Sequence, residues 1–147
     1  MILLDTNVVS EPMRSSPEPS VLGWLDAQAA ESLYLSTVSL AELLLGIENL
    51  PIGKRRKALA GALDRQISAL FRDRIVPFDL RAARTYAKIV VQARRQGYPI
   101  TVADAQIAAI AAARKFTLAT RDEAPFEAAG IAVVNPWTAK PGGSQSR

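Results

Sequence analysis

Short, continuous apolar runs alternate along the chain with longer stretches in which apolar residues recur at helical spacing. The first run, Ile2 to Asp5, reads as a buried strand that ends on an acid. Thr6 and Asn7 are both able to cap a helix reaching about Met13, and Arg14 to Ser20, with Pro17 and Pro19, reads as a loop. A helix over about Ser20 to Ala29 presents Val21, Leu22, Trp24 and Leu25 on one face, and Leu33 to Ser36 forms a second strand. Ser39 opens a helix carrying Leu40, Leu43, Leu44 and Ile47, and Pro51 and Gly53 interrupt before a long helix from Lys54 to Arg72. Ile75 to Phe78 is the third strand, and Pro77 marks it as an edge or a strand end.

The second half repeats the alternation. A helix over Leu80 to Gln96 stops at Gly97, and Thr101 caps an Ala- and Ile-rich helix ending near Lys115. Strands at Phe116 to Ala119 and Ile131 to Val134 bracket a short helix at Ala124 to Ala128 that Gly130 ends. Strands alternating with helices predict an α/β fold, with a small, mostly parallel sheet of about five strands flanked by helices. At 147 residues the chain fits one domain, taken as residues 1–138, with 139–147 a disordered tail of Pro, Gly, Ser and Gln.

Composition narrows the chemistry. There is no His and no Cys, which excludes histidine-based nucleophilic sites, the usual zinc sites and histidine acid–base catalysis. An enzyme would then have to work with carboxylates, Lys, Tyr, Ser or Thr, and carboxylates favour hard cations such as Mg²⁺ or Mn²⁺. The net charge of +4 suits an anionic partner such as nucleic acid as well as it suits an ordinary basic surface. Lys54 to Lys57, with Arg65, Arg72 and Arg74, is the densest basic region and reads as a solvated helix face rather than a direct contact. Asp5 follows the start too closely for a signal peptide, and no apolar run reaches membrane-spanning length. A cytoplasmic location and no membrane association are expected.

Four acids fall at strand ends or helix starts, where sites in open α/β sheets collect. Asp5 ends the first strand, Glu42 lies in the first turn of the helix after the second, Asp104 lies in the first turn after Thr101, and Asp122 follows the fourth strand. Each has a structural alternative. Ser39 to Glu42 matches a capping box, Thr101 to Asp104 resembles one, and Asp122 suits a turn. Asp5 is hardest to explain that way, because a carboxylate at a buried strand end is costly without compensation. Gathered together, the four repel one another unless a cation intervenes, and a divalent ion held by Asp5 and Asp104 removes that penalty. Arg121, beside Asp122, is a candidate for substrate contact or for an ion pair within the site, while Trp24 and Trp137 read as packing residues. Leu43, Leu44, Leu45 and Ile47 suggest a helix buried on two sides, or else an exposed docking patch.

The blocks LLDTNVVSE, VSLAELLLGI, ITVADAQIAAIAAARKFTLATRD and GIAVVNPW, in that order, resemble the PIN-domain ribonucleases that serve as toxins in VapBC-type and FitAB-type toxin–antitoxin pairs. The resemblance spans almost the whole chain. It implies a PIN-like fold and a Mg²⁺-dependent endoribonuclease (Mn²⁺ being the other candidate metal), with Asp5, Glu42, Asp104 and Asp122 as the acidic quartet. Thr6 and Thr120 match polar residues beside that quartet, and Ser39 matches the small hydroxyl residue before its Glu. It also implies an RNA substrate, a homodimer and a cognate antitoxin seated in the active-site groove. One position departs: Pro125 precedes Phe126 where family members often carry an acid. The rival reading is an inactive binding subunit of the same fold. A haloacid-dehalogenase-like phosphatase ranks lower, since its chemistry takes a second acid two residues after the first and position 7 is Asn.

Overall fold

The computed structural model describes residues 1–140; the proposed tail from 141 onward lies outside the described residues. Five parallel strands form one sheet in the order β3-β2-β1-β4-β5: β1 (Ile2–Leu4), β2 (Leu33–Ser36), β3 (Ile75–Val76), β4 (Thr117–Ala119) and β5 (Val133–Val134). All-parallel sheets are covered on both faces, so their strands read as unbroken apolar runs, as Ile2-Leu3-Leu4 does. Leu3 and Leu4 point to opposite faces and enter two separate cores. Pro77 follows β3, which is an edge strand, as its proline predicted.

One face carries α5 (Leu80–Arg95), α6 (Val102–Arg114) and α7 (Glu123–Ala128). Ala105 and the run Ile107 to Ala111 are almost wholly buried, because α6 is wedged between α5 and the sheet and its alanines permit close approach. The other face carries α1 (Thr6–Ser10), α2 (Pro19–Asp26), α3 (Thr37–Glu48) and α4 (Lys54–Gln66), with Val8, Val9, Trp24, Leu43, Leu63 and Phe71 in its core. The wide turn Ile67–Phe71 continues α4, so the long helix expected from Lys54 to Arg72 has a π-type final turn. Gly97 and Gly130 take left-handed φ values of 72° and 81° just past α5 and α7, the conformation that closes a helix and that glycine adopts without steric cost.

Two expectations are corrected. The cap of α3 is Ser36, whose hydroxyl accepts from the Ser39 N–H at 2.9 Å, so Ser39 lies inside the helix and Glu42 sits beyond its first turn. The supposed Ser39–Glu42 capping box does not form, because Ser36 supplies the cap three residues earlier. Nor is α3 buried on two sides: Leu43 is buried, but Leu44 and Leu45 are 46% and 61% exposed. At α6 the expected cap is present, with the Thr101 hydroxyl accepting from the Asp104 N–H at 3.2 Å. Replacing Thr101 by Ala should cost about 1 kcal/mol, the usual value of such a cap. Urea unfolding will register this as a lower midpoint at constant slope, and an unchanged midpoint would mean the cap contributes nothing.

Candidate functional site

The sheet changes direction between β1 and β4, since the chain winds from β1 toward β2 and β3 on one side and places β4 and β5 on the other. Crevices open at such switch points, beyond the carboxyl ends of the strands. The Asp5 N–H donates to the Ala119 carbonyl at 2.9 Å and the Thr120 N–H to the Val134 carbonyl at 3.0 Å, so ladder bonds carry the residues just past β1 and β4 to the same end.

Asp5 is only 6% exposed. It caps α1, a role expected of Thr6 or Asn7, with one carboxylate oxygen accepting from the Thr6 N–H at 2.8 Å. The other accepts from the buried Thr120 hydroxyl at 2.8 Å. The Thr6 hydroxyl donates to Glu42 Oε1 at 2.9 Å, and the Asp122 N–H donates to Thr120 Oγ1 at 3.1 Å. One hydrogen-bonded network therefore runs from Glu42 through Thr6 and Asp5 to Thr120 and the backbone of Asp122. Asp104 joins it through charge rather than through a bond: it acts on Asp5, and Glu42 and Asp122 act on it.

Burial pushes the Asp5 carboxyl up to about 6, and the charges of Asp104 and Glu42 add to the rise against the lowering effect of the Thr120 and Thr6 hydrogen bonds. Desolvation likewise raises Asp104, with Glu42 and Asp122 contributing repulsion and the Thr101 bond opposing them. Among the described residues, none of the four acids forms an ion pair; the salt bridges formed are Arg14–Glu11, Arg56–Glu48, Arg74–Asp73 and Arg114–Asp79. Two structural alternatives lose their basis. Glu42 is not in a first turn, and Asp122 stands at the cap position of α7 without a capping bond from its side chain. Asp104 keeps both readings, being capped by Thr101 and repelled by its neighbours.

A group of mutually repelling carboxylates that forms no ion pair among the described residues suits a hard divalent cation. Among the described residues no three carboxylates close into a chelating cluster. A hard cation held by one or two carboxylates, with water completing its shell, needs no such cluster. A Thr120→Val change removes the donor to Asp5 with little change of shape. The Asp5 carboxyl should then titrate at still higher pH in the metal-free protein, observed by carbon NMR of that side chain. An unmoved titration would show that the hydroxyl does not stabilise the charge.

The remaining predicted residues are placed as follows. Ser39 is buried, its hydroxyl has no partner among the described residues, and no bond links it to the acids. Arg121 makes no ion pair within the site among the described residues; its guanidinium lies 5.2 Å from the centroid of the Trp137 ring. Pro125 and Phe126 are both buried in the first turns of α7, where proline loses no helical bond and an acid would be desolvated. Trp24 packs in the core as expected. Two residues escaped sequence reasoning. Asn7 Oδ1 accepts from the Arg121 N–H at 3.4 Å, and Asn135 binds the Trp137 N–H at 2.9 Å and Glu123 at 3.2 Å. The Asn135-Pro136 pair after β5 is the sequence signal of such a side-chain-closed turn.

The sequence matches the PIN domain family over residues 2–131. It is 51% identical over 95% of its length to the whole of the plasmid stability protein StbB of Pseudomonas syringae pv. tomato. It is 47% identical to the VapC ribonuclease Y4jK of Sinorhizobium fredii and to the toxin FitB of Neisseria gonorrhoeae, in each case over 93% of this chain and 98% and 99% of the relative. Among solved structures, one of FitAB bound to a DNA fragment is similar with a TM-score of 0.91 at 44% identity, covering 97% of this chain and 100% of that one.

Proposed function

The chain belongs to the PIN domain family, and from that premise we propose that it is a divalent-metal-dependent endoribonuclease acting as the toxin of a toxin–antitoxin pair. The observation that carries the reading is the group of four acids without a cationic partner, gathered beyond β1 and β4 around the buried Asp5. The relatives named as a VapC ribonuclease and a toxin support it.

In this mechanism Asp5 and Asp104 would hold Mg²⁺, or Mn²⁺ in its place. A divalent ion there would lower the pKa of a water and would neutralise charge developing on a phosphoryl oxygen. The chain's own groups set the geometry. Thr6 and Thr120 fix both oxygens of Asp5, so the carboxylate does not rotate. The Thr6 hydroxyl fixes Glu42, leaving its free oxygen to accept a proton from the attacking water. As the water oxygen bonds to phosphorus, the bond to the ester oxygen breaks and that oxygen takes up a proton from solvent, while Asp122 at the opening of α7 would help to orient the water. Ser39, closed off from solvent, supports the start of α3 rather than touching substrate.

The unpaired acids also suit a basic side chain of an antitoxin, which would block the site by supplying the missing positive charge. Exposed Leu44 and Leu45, on the same helix as Glu42, offer apolar surface for that segment or for a second copy in a homodimer. The FitAB–DNA complex supports a partner of this kind. Among the described residues no helix is long and apolar enough to cross a membrane, and we place the protein in the cytoplasm with its RNA. The test is cleavage of a labelled RNA by the purified chain: activity lost in EDTA and restored by Mg²⁺ is expected. Cleavage that survives EDTA would overturn the metal role, and none under any condition would overturn the nuclease reading.

A further inference from the structure

A group of four carboxylates repels the polyanion it has to cut, so substrate capture needs a positive group beside it. We propose that Arg121, held on the face of Trp137, is that group, a grip for an RNA phosphate flanking the scissile one. The inference rests on the nuclease reading and deepens it. Arg121 is exposed and stands between Thr120 and Asp122, two residues of the site. Its N–H donates to Asn7 Oδ1 at 3.4 Å, which ties its backbone to the segment that follows Asp5. Although Asp122 and Glu123 follow it in sequence, the guanidinium pairs with no acid among the described residues and lies instead over the Trp137 ring, 5.2 Å from its centroid. Stacking on an indole uses the flat face of a guanidinium and leaves the N–H edge for a bidentate acceptor, the geometry of Arg–phosphate recognition.

The perch is itself fixed. Asn135 accepts from the Trp137 N–H at 2.9 Å, and its amide donates to Glu123 at 3.2 Å and to the Arg121 carbonyl at 3.5 Å. The Trp137 carbonyl accepts from the Ser20 hydroxyl at 3.4 Å. One side chain thus ties the backbone that carries the cation to the backbone that carries its platform. An arginine held in place loses less freedom on binding than one swinging in solvent, which is what a substrate contact requires. An arginine serving only to neutralise the pocket would pair with Asp122 or Glu123.

The test uses an end-labelled single-stranded RNA of mixed sequence, with cleavage measured in Mg²⁺ and binding measured in the uncleaving Asp5→Asn background. Arg121→Ala is expected to raise KM about tenfold with kcat nearly unchanged, the signature of lost binding common to ground and transition states. The slope of log Kd against log salt should fall by about 0.7, the value for one phosphate on a single strand. Arg121→Lys, which keeps the charge and loses the fork, is expected to keep the salt slope and raise KM by a smaller factor, and it decides the matter if the alanine variant does not fold. Trp137→Leu should raise KM while leaving the slope intact. Unchanged KM and slope in Arg121→Ala would overturn the proposal and assign the arginine to an acidic protein partner or to packing. A fall in kcat with KM unchanged would also overturn it. No cleavage by the unaltered chain would instead remove the nuclease reading on which it stands.

Discussion

Asp5→Asn is expected to abolish RNA cleavage and, in the same protein, to raise the melting temperature of the metal-free chain at neutral pH. The two effects share one cause. In the folded chain burial lifts the Asp5 carboxyl from 3.8 to about 6, with Asp104 and Glu42 adding repulsion. Between these values the folded state holds a proton that the unfolded state has released. The stability Asp5 contributes is therefore fully present below pH 3.8 and is lost as pH rises through about 6. That rise corresponds to roughly 3 kcal/mol withheld from the fold at neutral pH. Asparagine removes the charge and keeps the shape. Its carbonyl still accepts from the Thr6 N–H, and its amide donates to Thr120 Oγ1, whose hydroxyl reverses its role. A stabilisation of roughly 1–3 kcal/mol should appear as a rise of several degrees by calorimetry. Activity should fall by at least about a hundredfold, because metal stabilisation of several kcal/mol is lost at a factor of ten per 1.4 kcal/mol or so. Full activity in this variant would end the nuclease reading, and lower stability would show that Asp5 holds the fold together instead of straining it.

Mg²⁺ should stabilise the protein strongly at about pH 8 and hardly at all at about pH 5, because ligands must be deprotonated to bind metal. At the lower pH Asp5 is protonated, the repulsion with Asp104 and Glu42 is relieved, and the ion competes with a bound proton. At the higher pH the carboxylates are charged and unpaired, and the ion recovers the energy that burial withholds. Free metal at a hundred times its Kd is worth about 2.7 kcal/mol. The metal-free protein should thus lose stability as pH rises while the metal-loaded one gains relative to it, so the Mg²⁺-induced shift in Tm widens across that range. Thermal melts with EDTA and with Mg²⁺ at both pH values measure this directly. Equal shifts at the two pH values, or none at either, would contradict a site built on Asp5.

Most of the sheet was legible because parallel strands are buried on both faces and leave short apolar runs bounded by caps and turns. Ile2 to Leu4, Pro77 at an edge, and the stops at Gly97 and Gly130 follow from local chemistry alone. The order β3-β2-β1-β4-β5 does not, since it depends on crossovers spanning tens of residues. At the site, Asp5 stood out because a buried strand end has little use for an acid. Glu42 was harder: Ser36 and Ser39 are both capable caps three residues apart in the chain, and only the backbone conformation selects Ser36. The exposure of Leu44 and Leu45 was hidden for a related reason, since an apolar run reads alike whether a core or a partner covers it. Asn135 and Trp137 meet Arg121 only through tertiary packing, and no local spacing signals that contact.

The central claim, that folding gathers four scattered acids around one divalent ion, is tested most directly by anomalous diffraction from crystals of the protein soaked in Mn²⁺. A single anomalous peak within coordination distance of carboxylate oxygens from Asp5 and Asp104, absent in Asp5→Asn crystals, is the predicted result. Crystals with both side chains ordered and no peak between them, or with the ion bound elsewhere on the surface, would contradict it.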